Sequence, residues 1–238
     1  MFSPDQERAF FEACSDWQRA IFVTLAAFGL RVGELTHLLV EDVDLDAGVI
    51  QIRSKPELYW RVKTGRRRKL PLPPEMLSLL VRLIGGRKSG FVFLNAEFYC
   101  GLRHPASEFG SPQAFKAHLQ RIATDAMVSN PEATERELRR VVAAFCRTMA
   151  QIPEKRIRLE LMKLTKRIGC PEFTRAHDFR HLFASRAQEA GMNPLLVQDM
   201  LGHATMDMTR RYTHFGLEAM REALGKLGAG KAGEKKPL

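Results

Sequence analysis

The chain has little of what would place it in an oxidising compartment or across a membrane. Its four cysteines, Cys14, Cys100, Cys146 and Cys170, are far apart and form no C-x-x-C pair, which argues against a disulfide framework or a cysteine-bound zinc. The longest apolar run, AIFVTLAAFGL from Ala20 to Leu30, is too short to cross a bilayer. The N-terminus has no charged segment followed by an apolar stretch, so no secretory signal is read. A soluble cytoplasmic protein is expected. Tyrosine is scarce as well, with three in 238 residues. One of them, Tyr212, lies in LGHATMDMTRRYTHF, with arginines just before it and histidines on both sides.

What is present points to a folded, basic protein. Hydrophobic residues make up 45% of the chain, enough for a sizeable core. Lys plus Arg number 37 against 27 acids, a net charge of +10. That balance favours a polyanionic partner, nucleic acid ahead of an anionic membrane surface.

Local signals read as a mainly helical chain. Ser3, Pro4 and Gln6 form a capping-box start, and Ser15 with Asp16 opens a second helix that Gly29 interrupts. Three short strands are expected at 49–52, 58–63 and 68–73, with TGRRR as a basic turn joining the last two. Pro73 and Pro74 begin a helix that Gly85 ends. Helices are expected from Pro112 to about Met127, through Leu138, Val142 and Phe145, and through Ile157, Leu161 and Leu164. Two more follow at 177–190 and 194–201, each with a glycine after it. Leu217, Met220, Leu224 and Leu227 form one stripe, and AGKAGEKKPL reads as a flexible tail. The expected fold class is α+β, mainly α-helical with a small antiparallel three-stranded sheet.

Four groups of residues carry chemistry. Arg31 and Glu34 stand in FGLRVGEL. His177 and Arg180, in HDFRH, share one helix face. His203 and Tyr212 are nine positions apart. Lys63 precedes the basic turn with Arg66, Arg67 and Arg68, which could contact DNA phosphates. Two arginines can each hold a phosphate oxygen, and a histidine can donate a bond or move a proton. A tyrosine hydroxyl becomes a nucleophile once its proton is accepted, and a lysine can protonate a departing sugar oxygen. On paper this set suffices for metal-free cleavage of DNA. His177 and His181 have the spacing of a metal pair, but no H-E-x-x-H pattern or third ligand accompanies them, so no metal site is expected.

GLRVGEL, HDFRH, LGH and TRRYTH, in that order, resemble the signature boxes of the tyrosine recombinase (phage integrase) family. VKTGRRRKLPLP is similar to that family's lysine-bearing β-hairpin. The resemblance covers about residues 2 to 227. It implies the tyrosine recombinase catalytic-domain fold and the following roles. Arg31 and Arg180 bind the scissile phosphate, Lys63 is the general acid to the leaving 5′ oxygen, and His177 is the nucleophile's proton-transfer partner. His203 donates to the phosphate, Tyr212 forms a 3′-phosphotyrosyl link, and Glu34 braces Arg31. No cofactor, metal or ATP is implied. The partners implied are double-stranded DNA and further copies of the chain, in a tetramer on synapsed DNA held through the C-terminal helix.

By that resemblance residues 1–228 form the catalytic domain, with a helical insertion at about 131–167 and a C-terminal helix at about 216–227, before a tail at 229–238. The family's N-terminal core-binding domain is expected to be absent. Phe28, Leu182 and Ser185 depart from the family's usual residues, none at a position with a proposed catalytic role. The alternative reading is a type IB topoisomerase-like nicking-closing enzyme, and beyond that a catalytically idle DNA-binding module.

Overall fold

The computed structural model describes residues 2–99, 109–202, 221, 224 and 225. Helix α1 (Pro4–Ala13) begins on a complete capping box: the Gln6 backbone N–H donates to Ser3 Oγ at 3.2 Å, and the Ser3 N–H donates to Gln6 Oε1 at 2.8 Å. Ser15 and Gln18 repeat this device at α2 (Asp16–Phe28). Each box satisfies two of the N–H groups that a helix start leaves unpaired. Gly29 ends α2 with φ +59, and its lack of a side chain also serves packing. A Cβ there would stand 2.5 Å from Leu201 Cδ2 and 3.0 Å from Phe183 Cδ1.

A five-residue helix, α3 (Val32–Thr36), leads through a 3-10 turn (Val40–Asp42) into β1 (Val43–Asp44) and β2 (Val49–Ile52). After a second 3-10 turn (Pro56–Leu58) comes β3 (Arg68–Pro71). The sheet has order β1-β2-β3 and is antiparallel throughout, with Ile52 opposite Arg68 and Ile50 opposite Leu70.

Three antiparallel strands were expected and three are present, but they are not the same three. The segment 58–63 is no strand. Lys55 and Trp60 instead exchange backbone bonds of 2.9 and 3.1 Å, closing a tight loop around Pro56, which has no N–H to give a ladder. Leu58, Trp60 and Val62 are nonetheless buried, so their alternation records packing rather than strand pairing. The third strand is β1, which at two residues is too short to show a period.

Helix α4 (Pro74–Ile84) ends at Gly85 in the left-handed conformation, as its sequence predicts. Among the described residues the remaining helices are α5 (Ala96–Tyr99), α6 (Pro112–Ser129), α7 (Glu135–Thr148), α8 (Glu154–Arg167), α9 (Asp178–Glu189) and α10 (Pro194–Leu201). One core joins them. Phe10, Phe22 and Phe179 meet at centroid distances of 5.2 to 5.5 Å, tying α1 and α2 to α9. The segment expected as an insertion is built into that core: Val142 and Cys146 of α7 and Ile157, Leu161 and Leu164 of α8 are buried in it.

Of the C-terminal helix expected at 216–227, only Arg221, Leu224 and Gly225 are described. Leu224 is buried in this chain's own core, and Arg221 Nη2 donates to the Ala47 carbonyl at 2.7 Å. His203, Tyr212 and the tail at 229–238 lie outside the described residues.

Candidate active site

Arg31 is the N-cap of α3, with an extended backbone. A cation at a helix N-terminus opposes the macrodipole, and the carboxylate of Glu34 one turn later offsets it. Glu34 accepts four hydrogen bonds. Arg31 contributes its backbone N–H at 3.0 Å and Nη1 at 3.0 Å, while Arg68 contributes Nη1 at 3.1 Å and Nη2 at 2.7 Å. Burial pushes the Glu34 carboxyl up, but the hydrogen bond and charge of Arg68, followed by Arg31, outweigh it and hold the pKa below the usual carboxylate value. Glu34 therefore stays ionised between two guanidiniums. Arg31, with its side chain 20% exposed, is the member of the trio that faces solvent.

Arg68 also reaches a third element. Its Nε donates to the Met200 carbonyl at 2.7 Å, at the C-terminal end of α10. Arg180, on α9, donates to the next carbonyl, Leu201, through Nη2, and to the Gly29 carbonyl at 2.7 Å through Nη1. Two arginines thus satisfy carbonyls at the negative end of α10, just before Gly202 turns the chain at φ +66. That turn leads directly to His203.

Arg180 is buried, and its Nε has no partner among the described residues. Burial first, then the neighbouring Arg31, pushes its pKa down to about 10. His177 is exposed, one turn before Arg180, with its ring edge-on to His181 at 4.9 Å. Its pKa lies below the ordinary histidine value through partial burial, followed by the charges of His181, Arg180 and Arg31. At neutral pH the imidazole is free to accept a proton. Three guanidiniums around one carboxylate leave surplus positive charge, a setting that attracts an oxyanion. Among the described residues no cluster of His, Cys, Asp or Glu could hold a metal ion.

Residues 1–217 match the phage integrase family. The chain belongs to that family. Among curated relatives, the tyrosine recombinase XerC of Pelobacter propionicus is 24% identical over 212 residues, covering 87% of this chain and 51% of the relative. The XerC of Thermodesulfovibrio yellowstonii is 27% identical over 208 residues, covering 87% and 53%. The chain spans about half the length of these curated relatives. Among solved structures, the XerA recombinase aligns with TM-score 0.52 and 21% identity over 99% of this chain and 66% of the other. The integrase of mycobacterium phage Brujita aligns with TM-score 0.55 and 14% identity, over 93% and 55%. Both share the fold.

In this phage integrase family chain, Arg31, Glu34, His177 and Arg180 come together from α3 and α9, whose positions in sequence are far apart. Lys63 stands exposed in the turn closed by the Gly65 N–H on the Val62 carbonyl at 2.8 Å. Arg67 is exposed and Arg66 half-buried on the same approach to β3. Arg68 differs from the expectation of a DNA contact: it is 6% exposed, and its guanidinium is bonded to Glu34 and Met200. The signal for this lay in the strand period, since Arg68 and Leu70 are two apart and share an inward face. The carbonyls of Gly29, Met200 and Leu201 carried no signal in the sequence.

Proposed function

We propose that this chain cleaves and rejoins DNA strands as a site-specific recombinase, through a covalent 3′-phosphotyrosine at Tyr212. The observation that carries the reading is the convergence of Arg31, Arg180 and His177 on the Glu34–Arg68 frame, at the helix end that leads into His203. In the proposed step the Tyr212 hydroxyl attacks the scissile phosphorus and its proton passes to His177. The bond from phosphorus to the 5′ oxygen breaks, and Lys63 protonates that oxygen. Arg31, the unpartnered Nε of Arg180 and His203 offset the charge on the non-bridging oxygens. Nε of Arg180 is covered in this structure, so in this reading DNA binding includes a local shift that uncovers it.

A 5′ hydroxyl from a second strand then attacks the phosphotyrosine, and the reverse proton transfers restore the enzyme. One phosphodiester is exchanged for another, so no ATP is consumed, and fixed cations take the part a metal would otherwise play. The substrate is double-stranded DNA, contacted also by Arg66 and Arg67 and met in the cytoplasm. Arg68 acts in this scheme as a brace for Glu34. Assembly on synapsed DNA is head-to-tail, as a tetramer. Docking of the C-terminal helix on a neighbour would exchange the burial of Leu224 in its own chain for burial in the next.

Nicked suicide duplexes test the reading, because loss of the short strand traps the covalent complex on a denaturing gel. Wild type is expected to give an adduct and Tyr212→Phe none. If both proteins bind the duplex equally and neither gives an adduct, the reading fails. Relaxation of supercoiled plasmid without recombinant product would replace it with a type IB topoisomerase-like function.

A further inference from the structure

Helix α7 carries a feature that the cleavage scheme does not use. Arg136, Arg139, Arg140 and Arg147 are all exposed. At 100° per residue they fall within one stripe about 100° wide, which adjoins the buried face of Leu138, Val142 and Cys146 on its Cys146 side. Among the described residues none of the four is held in an ion pair, although Arg140 lies within electrostatic reach of Glu137. The stripe runs roughly 16 Å along the helix, about the axial rise of five base pairs.

Its position relates it to the candidate active site. At one end, Arg61 Nη2 lies 3.9 Å from Glu135 Oε1, which sets the start of α7 beside the connection that carries Lys63. Arg139 and Arg147 line a cavity of about 240 Å³ together with Thr36 and His37, at the end of the helix that begins with Arg31. The charge of Arg139 reaches His37. The stripe therefore borders both elements that would meet the cleaved phosphate.

We propose that the arginine stripe of α7 is a second DNA-contacting surface, which holds the phosphate backbone of duplex DNA extending beyond the cleavage site. This rests on the recombinase reading above. The core-anchored helix holds the four Arg backbones in line before DNA arrives, so only their side chains need ordering on contact. Such contacts fix the register of DNA on the protein and carry no sequence information.

The test is the salt dependence of binding to a 30-base-pair duplex, with the full chain and three variants. R136Q/R139Q/R140Q/R147Q is expected to bind at least about tenfold more weakly at moderate salt. Its slope of log affinity against log salt should be shallower by about 3 to 4, since each phosphate contact contributes about 0.9. The four corresponding Arg→Lys changes keep the charge and should keep most of the slope. A matched variant, R8Q/R82Q/K88Q/R121Q, removes four exposed cations from elsewhere on the chain and should change the slope by less than about one. If the α7 Gln variant does not fold, the pairs R136Q/R140Q and R139Q/R147Q read the same quantity, each expected to lose about half of it.

An α7 variant whose affinity and slope equal those of the matched variant overturns the proposal. So does an Arg→Lys variant that loses the slope as fully as the Gln variant, because the effect would then not be charge. Failure of the recombinase reading looks different: wild type itself would give no Tyr212-dependent adduct.

Discussion

Arg68 closes on Glu34 with two hydrogen bonds of 2.7 and 3.1 Å, and both side chains are buried. The pair joins β3 to α3, and through the Met200 carbonyl it reaches α10 as well. Removing one partner of a buried pair leaves a charge without compensation. Arg68→Met is expected to destabilise the fold by about 3 kcal/mol in urea unfolding. At temperatures where the variant stays folded, cleavage should fall more than DNA binding, because Arg31 loses the fixed carboxylate that orients it. Arg68→Lys keeps the charge but not the fork, and should recover part of the stability and little of the rate.

Gly202 is coupled to the same arginine. Its φ is +66, and a Cβ there would stand 2.9 Å from Arg68 Nη1. Gly202→Ala should cost about 1 to 2 kcal/mol, part from the backbone and part from displacing Arg68. A double-mutant cycle separates the two, since in an Arg68→Ala background only the backbone part remains. Strict additivity would count against the coupling.

His37 makes the fold sensitive to mild acid. Its ring stacks on Trp60 at 4.6 Å, and Nδ1 lies 2.8 Å from the Gly33 carbonyl. Burial is the main cause that pushes its pKa down to about 4 from 6.5, aided by Lys55 and Arg139 and opposed by the Gly33 carbonyl. Between those values the unfolded chain binds a proton that the folded chain does not. Stability is thus complete above pH 6.5 and lost as pH falls toward 4, by about 3 kcal/mol. His37→Gln should flatten the unfolding free energy over that window, and an unchanged profile would refute the assignment.

His177 predicts the acid limb of cleavage. If its neutral form accepts the tyrosine proton, single-turnover rates should fall at low pH with a midpoint below the ordinary 6.5. Replacing His181 with Gln removes one of the charges that depress it, so the midpoint should rise. A midpoint that does not move when His181 is replaced, or an acid limb that persists in His177→Gln, would count against His177 as that acceptor.

Lys63→Ala should slow cleavage far more than it weakens binding. A substrate with a 5′-phosphorothiolate leaving group needs no acid to depart, and should restore the rate. Absence of rescue would remove Lys63 from the general-acid role.

Helix ends were readable because their chemistry is local. Ser3 with Gln6, Ser15, and Gly85 and Gly202 act within a few residues of themselves, and the structure places each at a helix end. The 58–63 segment was not readable. Leu58, Trp60 and Val62 alternate like a strand, yet a loop closed between Lys55 and Trp60 buries them. Periodicity reports which side chains go inward and does not report what the backbone pairs with.

The order of GLRVGEL, HDFRH, LGH and TRRYTH determined, by itself, the family and the residues proposed for chemistry. The mainly helical class followed from caps and apolar spacing. Only the tertiary structure decided how those residues are held. Arg68 finds Glu34 across 34 positions and Met200 across 132, and Arg180 finds Gly29 across 151. A guanidinium on a local stretch of chain looks the same whether it will face a phosphate or a buried carboxylate. Which partner it takes depends on the elements that desolvate it, and those arrive only when the chain has closed on itself.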